Sequence, residues 1–159
     1  MNKFDINIIQ KTEDSICSDF FIDDVQLSKY MGFDRLSDLA FSSFDLDNIV
    51  VDREKFPNYN RKDIIDNKID EFTGMKMPFN QFGTKRIVLY RCHCGCDYCG
   101  VISCELNMDR DFVYWKDVRY ETEDDDEQEY TKRIEILKFE KENYFQIFKE
   151  YKKLYCIDL

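Results

Sequence analysis

Glycine and proline are scarce in this chain, with 5 Gly and 2 Pro among its 159 residues. So few turn-forming residues leave little room for linkers, and we expect a single domain over residues 1–159. No apolar run approaches the roughly 20 residues that a membrane helix requires. The first residues also lack the apolar stretch of a secretory signal peptide, so the sequence predicts a soluble, cytoplasmic protein that does not enter membranes.

Basic residues are outnumbered, because 23 Lys and Arg stand against 33 Asp and Glu, for a formal net charge of −10. Binding to DNA or RNA depends on clustered cations that contact phosphates, so no nucleic-acid partner is expected. An acidic surface instead steers the approach of a basic protein. The charge is uneven, since residues 117–129 hold eight acids and one base, a local charge of −7.

Histidine is rarer still, and His93 is the single one. General acid–base catalysis by His93 would require a positioned partner group. The chain contains no G-x-S-x-G elbow, no nucleotide-binding glycine loop, no H-E-x-x-H helix and no readable pair of catalytic acids. The sequence therefore favours a protein that is not an enzyme, with no catalytic residues and no cofactor.

Cysteine is the exception among the rarer residue types: seven are present, and five of them lie between residues 92 and 104. Zinc ribbons take one ligand pair from each of two separated knuckles, and a second knuckle is missing here. A redox C-x-x-C opens a helix after a strand, whereas Cys96-x-x-Cys99 is followed by a strand pattern. A zinc site would draw on Cys92, Cys94, Cys96 and Cys99.

Side-chain alternation along two strands favours a third interpretation, in which the cysteines pack as small buried hydrophobes. We favour packing over zinc binding, and zinc binding over redox chemistry, so no metal is predicted. Trp115 is likewise expected to pack against the sheet. The residues expected to share a face are Val88, Tyr90, Cys92 and Cys94 on the first strand, and Ile102, Cys104 and Leu106 on the second.

Hydrophobic periodicity predicts strands joined by short turns, together with a few helices. Sequential strands with short connections pair antiparallel. We therefore predict an α+β domain whose antiparallel sheet, a meander around residues 86–121, packs against two or three helices. The predicted strands are 4–9, 49–51, three within 86–121 and 133–139, and residues 19–22 form a second short apolar run. A turn is predicted at Asp23-Asp24. The predicted helices are 25–32, one through Leu36, Leu39, Ala40 and Phe44, 61–72 and 141–155.

A motif runs through this meander: C-x-C-G at residues 92–95, C-G at residues 99–100 and V-x-W-x-D at residues 113–117. With this motif the chain resembles a largely uncharacterised family of small bacterial proteins, closely over residues 72–121 and loosely elsewhere. Small acidic proteins of this kind also occur as immunity partners of bacterial toxins, many of which are basic nucleases. The resemblance implies a function carried by surface complementarity.

These observations lead to a functional hypothesis in which the chain binds and neutralises a basic toxin domain, with a nuclease as the first expectation. The alternatives are a zinc-stabilised structural module and, after it, a thiol redox protein. A solvated loop is the plainer interpretation of the acidic run. The residues predicted to face the partner are Glu121, Glu123, Asp124, Asp125, Asp126, Glu127 and Glu129.

Overall fold

In the computed structural model of this chain, the described residues form two antiparallel sheets and three helices around an aromatic core. The structure describes residues 1–11, 15–34, 40–47, 61–78, 80, 82–92, 100–122 and 132–157. The predicted α+β class, with an antiparallel sheet packed against helices, is confirmed. In the described part of the chain, no helix has the length and apolar character needed to cross a membrane.

The described residues form the following strands and helices, given in chain order. The strands are β1 (Phe4–Lys11), β2 (Ser15–Ile22), β3 (Val25–Gln26), β4 (Ala40–Ser42), β5 (Leu46–Asp47), β6 (Ile87–Cys92), β7 (Val101–Met108), β8 (Phe112–Glu121) and β9 (Ile134–Glu140). The helices are α1 (Leu27–Met31), α2 (Arg61–Phe72) and α3 (Lys141–Ile157). The smaller sheet has the order β1-β2-β3, with β5 also paired to β2; the larger sheet has the order β4-β6-β7-β8-β9. The predicted meander is therefore confirmed as β6, β7 and β8, antiparallel throughout.

The predicted turn at Asp23-Asp24 joins β2 to β3 and is confirmed by the pairing of Ile22 with Val25. Asp23 and Asp24 have φ values of 51° and 67°, as the inner residues of a two-residue hairpin commonly do. The Asp23 carboxylate accepts hydrogen bonds of 2.8 Å from the Lys3 backbone N–H and from the side-chain amide of Asn2. Both bonds lower the pKa of Asp23, and the bond from the Lys3 backbone N–H has the larger effect.

Trp115 lies at the centre of the core and is 0% exposed, so its predicted packing role is confirmed. Its Nε1–H donates to the Tyr144 hydroxyl at 3.1 Å, and that hydroxyl donates to the Phe72 carbonyl at 2.8 Å. Burial raises the pKa of Tyr144 well above its usual value. One short chain of hydrogen bonds thus links β8 to both α3 and α2.

Two predictions of local structure are wrong. Ala40 lies in β4, an edge strand paired with β6, and not in a helix with Phe44. Val88 and Tyr90 face opposite sides of the sheet, because Val88 pairs with Ser103 while Tyr90 pairs with Ile102 across a register shift. The strand predicted at residues 49–51 lies outside the described residues.

Candidate functional site

Charged side chains meet at the end of the larger sheet where the acidic segment (residues 121–129) begins. Asp117 lies at their centre, so we call the group the Asp117 cluster. Asp117, Arg119 and Glu121 come from β8, Glu105 comes from β7, and two arginines come from the residues just before β6 and β9. The six members are Arg86, Glu105, Asp117, Arg119, Glu121 and Arg133.

Asp117 adopts a φ of 55° at a β-bulge in β8. A bulge redirects the side chain, and Asp tolerates the left-handed region better than most residues. Asp117 Oδ2 lies 3.2 Å from Arg86 Nη1 and 3.2 Å from Arg119 Nε, while Oδ1 lies 2.5 Å from Arg133 Nε. Three guanidinium groups from separate parts of the chain therefore share one carboxylate.

Arg86 is the most deeply buried member of the cluster, with 5% of its surface exposed. Its Nε donates to Ser103 Oγ at 2.9 Å, and its Nη2 donates to the Ser103 carbonyl at 2.9 Å and to the Asp117 carbonyl. The planar guanidinium thus reaches the backbone of both β7 and β8 as well as the Asp117 carboxylate. A buried charge is tolerated when it is paired and hydrogen-bonded in this way.

The residues before Arg86 form a turn around Asn80, which is 1% exposed. Asn80 Oδ1 accepts from the backbone N–H groups of Phe82 at 3.0 Å and Thr84 at 3.2 Å. Asn80 Nδ2 donates to the Arg86 carbonyl at 3.2 Å and to Thr84 Oγ1 at 2.6 Å. This side chain fixes the path of the backbone into Arg86, because it bonds both ends of the turn.

Glu121 was predicted to face a partner, but the structure buries it, with 7% exposed. Its Oε2 lies 3.7 Å from Arg86 Nε, and Thr84 Oγ1 is 3.5 Å from the same oxygen. The carboxylate is turned toward the cluster and not toward solvent, so Glu121 has a structural role as the first residue of the acidic segment. The other predicted partner-facing residues, Glu123, Asp124, Asp125, Asp126, Glu127 and Glu129, lie outside the described residues.

The Asp117 cluster is balanced in formal charge, since its three arginines match its three carboxylates. The longest pair is Arg86 with Glu105, at 3.9 Å and with the glutamate side chain 58% exposed. Arg119 and Arg133 are engaged with Asp117. The formal charges of the cluster therefore sum to zero.

Of the five cysteines between residues 92 and 104, Cys92 and Cys104 lie within the described residues. Cys104 is 0% exposed within the core, and burial raises its thiol pKa well above the usual value, so its predicted packing role is confirmed. The backbone of Cys92 ends β6, whereas residues 93–99, including His93, lie outside the described residues. Among the residues that the structure describes, no three His, Cys, Asp or Glu side chains are grouped as a metal site requires.

A second polar cluster, which the sequence did not reveal, links the two sheets through Asp19, a 1% exposed residue of β2. Ser28 Oγ donates to Asp19 Oδ2 at 2.8 Å, and the Tyr90 hydroxyl of β6 donates to Asp19 Oδ1. The backbone N–H of Phe20 donates to the same Oδ1 at 2.7 Å. A buried carboxylate with these donors fixes the position of one sheet relative to the other, and we assign it a structural role.

The Asp117 cluster was also missed by sequence reasoning. The residues before Asp117 carry an aromatic motif that draws attention to the core, and nothing in the sequence marks the bulge. In the sequence, Arg86 and Arg133 are two charged residues far apart in the chain. Only the pairing register of β7, β8 and β9 brings both of them to Asp117. The one usable signal was Arg86 itself, a charge directly before the apolar run of β6.

Comparison of the chain with models of known families, with curated proteins and with solved structures gives no match. The resemblance to small bacterial proteins with the C-x-C-G hairpin therefore stays a prediction.

Proposed function

We propose that this chain is an immunity-type binding protein that neutralises a basic bacterial toxin domain in the cytoplasm. The observation that carries the proposal is the charge pattern at the end of β8. A charge-balanced cluster holds Glu121, and six further acids without a base follow within residues 122–129. The three arginines of the Asp117 cluster are matched by three carboxylates of the same cluster, which supports the use of these six acids by an external partner.

A nuclease is the first expectation for the toxin. Its cleft must bind phosphates with Lys and Arg, and a run of carboxylates presents charge of the same sign as those phosphates. Charges at the rim of an interface raise the association rate, and they act over a Debye length of about 8 Å at physiological ionic strength. Fast capture matters for an inhibitor that must act before its target cleaves nucleic acid.

Such a protein carries out no reaction and uses no cofactor and no membrane or nucleic-acid partner. Function would lie in the fit between the acidic segment and a cationic surface. The fold supplies the base from which that segment leaves the larger sheet. The chemistry of such a role is electrostatic, so its signature is a salt-dependent association rate.

The direct test is binding to the protein encoded by the neighbouring gene. Each protein is purified separately, and complex formation is followed by size-exclusion chromatography and by inhibition of nuclease activity on a plasmid substrate. We expect a complex at equimolar concentration and loss of cleavage. If the neighbouring protein neither binds this chain nor loses activity in its presence, the proposed function is wrong.

A further inference from the structure

The ladder between β8 and β9 ends before β8 does. Its last pair joins Val118 to Ile134, whereas β8 continues to Glu121 by pairing with β7. The two strands therefore part at the point where the chain leaves for the acidic segment. Beyond this pair, the contacts described between the end of β8 and the residue before β9 are between side chains.

The Asp117 cluster supplies those contacts on both sides. Arg133, directly before β9, reaches back to Asp117 Oδ1 at 2.5 Å. On the β8 side, Arg86 contacts Asp117 Oδ2 at 3.2 Å and Glu121 Oε2 at 3.7 Å. Asp117 is thus joined to Arg133 directly, and to Glu121 through Arg86.

We propose that Asp117 is a positioning residue that clamps both ends of the connection carrying the acidic segment. The inference rests on the proposed function for its biological meaning, but the clamp itself consists of described residues. Fixing the ends of a connection lowers the conformational entropy that binding must remove. The clamp would then slow dissociation from the partner, because the complex forms with less ordering cost.

A substitution of Asp117 by Asn tests the clamp with little change to the backbone. Asn adopts positive φ as readily as Asp, so the bulge is preserved while the charge that three arginines share is lost. The matched control is Asp24→Asn. Asp24 also has a positive φ of 67° and a cationic partner, Lys3 at 2.7 Å, but it lies in the distant β2–β3 turn.

Backbone amide hydrogen exchange, measured by NMR on the free protein, tests the clamp in the absence of a partner. In Asp117→Asn we expect the amides of Glu121 and Ile134 to exchange at least about tenfold faster, because the last ladder pairs open more often. The amides of Trp115 and Leu137, further along the same strands, keep their wild-type rates. Asp24→Asn leaves all four rates unchanged. Unchanged exchange at Glu121 and Ile134 in Asp117→Asn would overturn the inference.

Arg133→Gln provides a second variant, in case Asp117→Asn folds poorly. The Arg133 side chain is 61% exposed, so its replacement removes one ion pair of the clamp at an exposed position. We expect faster exchange at Ile134 with an unchanged melting temperature. Lys132→Gln, the same charge change at the exposed neighbouring residue, should have no effect. Equal exchange in the two variants would contradict the clamp.

The dissociation rate from the protein encoded by the neighbouring gene completes the test. Asp117→Asn should dissociate about tenfold faster than the wild type, and Asp24→Asn at the wild-type rate. Faster exchange without faster dissociation would show that the clamp does not position the binding surface, and would overturn that part of the inference. If the wild type forms no complex, the proposed function fails, while the exchange rates still decide whether the clamp exists.

Discussion

Arg86 and Asp117 form a two-point contact across the larger sheet: Nη1 lies 3.2 Å from Oδ2 of the carboxylate, and Nη2 donates to the carbonyl of the same residue. The second contact fixes the bulge at Asp117, because it holds the backbone as well as the side chain. The guanidinium is buried together with Ser103, which is 0% exposed. This pair therefore stabilises the end of the larger sheet at which the acidic segment starts.

Replacing Arg86 by Met should therefore be costly. Removing one partner of a buried ion pair leaves the other uncompensated, and such changes cost about 3–5 kcal/mol. Urea unfolding followed by tryptophan fluorescence measures the loss. Lys3→Met, which breaks the exposed pair with Asp24, serves as the control and should leave the unfolding midpoint unchanged. A similar midpoint for Arg86→Met and the wild type would refute a structural role for the pair.

Tyr144→Phe removes a hydroxyl that serves two partners in the core. The Trp115 Nε1–H loses its acceptor and the Phe72 carbonyl loses its donor, while the ring packing is kept. We expect the free energy of unfolding to fall by about 1–3 kcal/mol, the usual cost of leaving buried polar groups unpaired. Tyr30→Phe, at a residue that is 38% exposed, is the control and should change stability by less than about 0.5 kcal/mol.

Gly100, before β7, is expected to resist substitution for two reasons. Its φ is 105°, and a Cβ atom would overlap the Tyr120 ring. Gly83→Ala isolates the backbone effect, since Gly83 has a φ of 74° but no atom within 4 Å of the place that a Cβ would occupy. Both variants should lose about 1–2 kcal/mol from the left-handed backbone, and Gly100→Ala a further 1–3 kcal/mol or so from overpacking. Equal losses in thermal unfolding would show that the Tyr120 contact is unimportant.

Asp109, in the β7–β8 turn, should make stability depend on acid pH. Its carboxylate accepts from the Asp111 N–H at 2.9 Å, the Tyr114 hydroxyl at 2.8 Å and the Phe112 N–H at 2.7 Å, and these bonds lower its pKa. A lowered pKa in the folded state gives stability that is present above the unfolded value of about 3.9 and is lost as the pH falls through the folded value.

The measurement is the unfolding free energy of Asp109→Asn and of the wild type between pH 2 and pH 7, together with NMR titration of the carboxyl group. The wild type should exceed the variant at neutral pH, and the difference should shrink below about pH 4. Asp70→Asn, at an exposed position in α2, controls for the loss of one negative charge. A constant difference across the whole range would contradict the assignment.

Much of the fold could be predicted from the sequence, because its strongest signals are local. The stripe at three- and four-residue steps around Tyr144 and Phe148 predicts α3, and alternation around Trp115 predicts β8; both agree with the structure. The short strands were harder. β4 has three residues and owes its existence to pairing with β6, so its own pattern is too brief to distinguish it from a helix.

The candidate site was harder to predict than the fold, because it depends on register. Strand alternation predicts that Val88 and Tyr90 lie on the same face of the sheet. An irregularity of one residue in β6 places them on opposite faces, and no sequence rule locates such a bulge. Glu121 looked like the first of a solvated row of acids. Its burial follows from Arg86, which is distant in sequence and becomes a neighbour only when β6, β7 and β8 are in register.

The central claim, that the acidic segment captures a basic partner, is tested most directly by the association rate with the protein encoded by the neighbouring gene. Stopped-flow mixing at several salt concentrations compares the wild type with two variants that each lose six negative charges. The test variant carries E123Q, D124N, D125N, D126N, E127Q and E129Q. The control variant carries D24N, D63N, D70N, D111N, E142Q and E150Q, all at exposed residues.

We predict that the test variant associates at least about tenfold more slowly at low salt and loses most of its salt dependence, while the control variant stays much closer to the wild type. If the two variants slow association equally, only the net charge matters and the acidic segment is not the binding surface. An unchanged association rate and salt dependence in the test variant would contradict the claim outright.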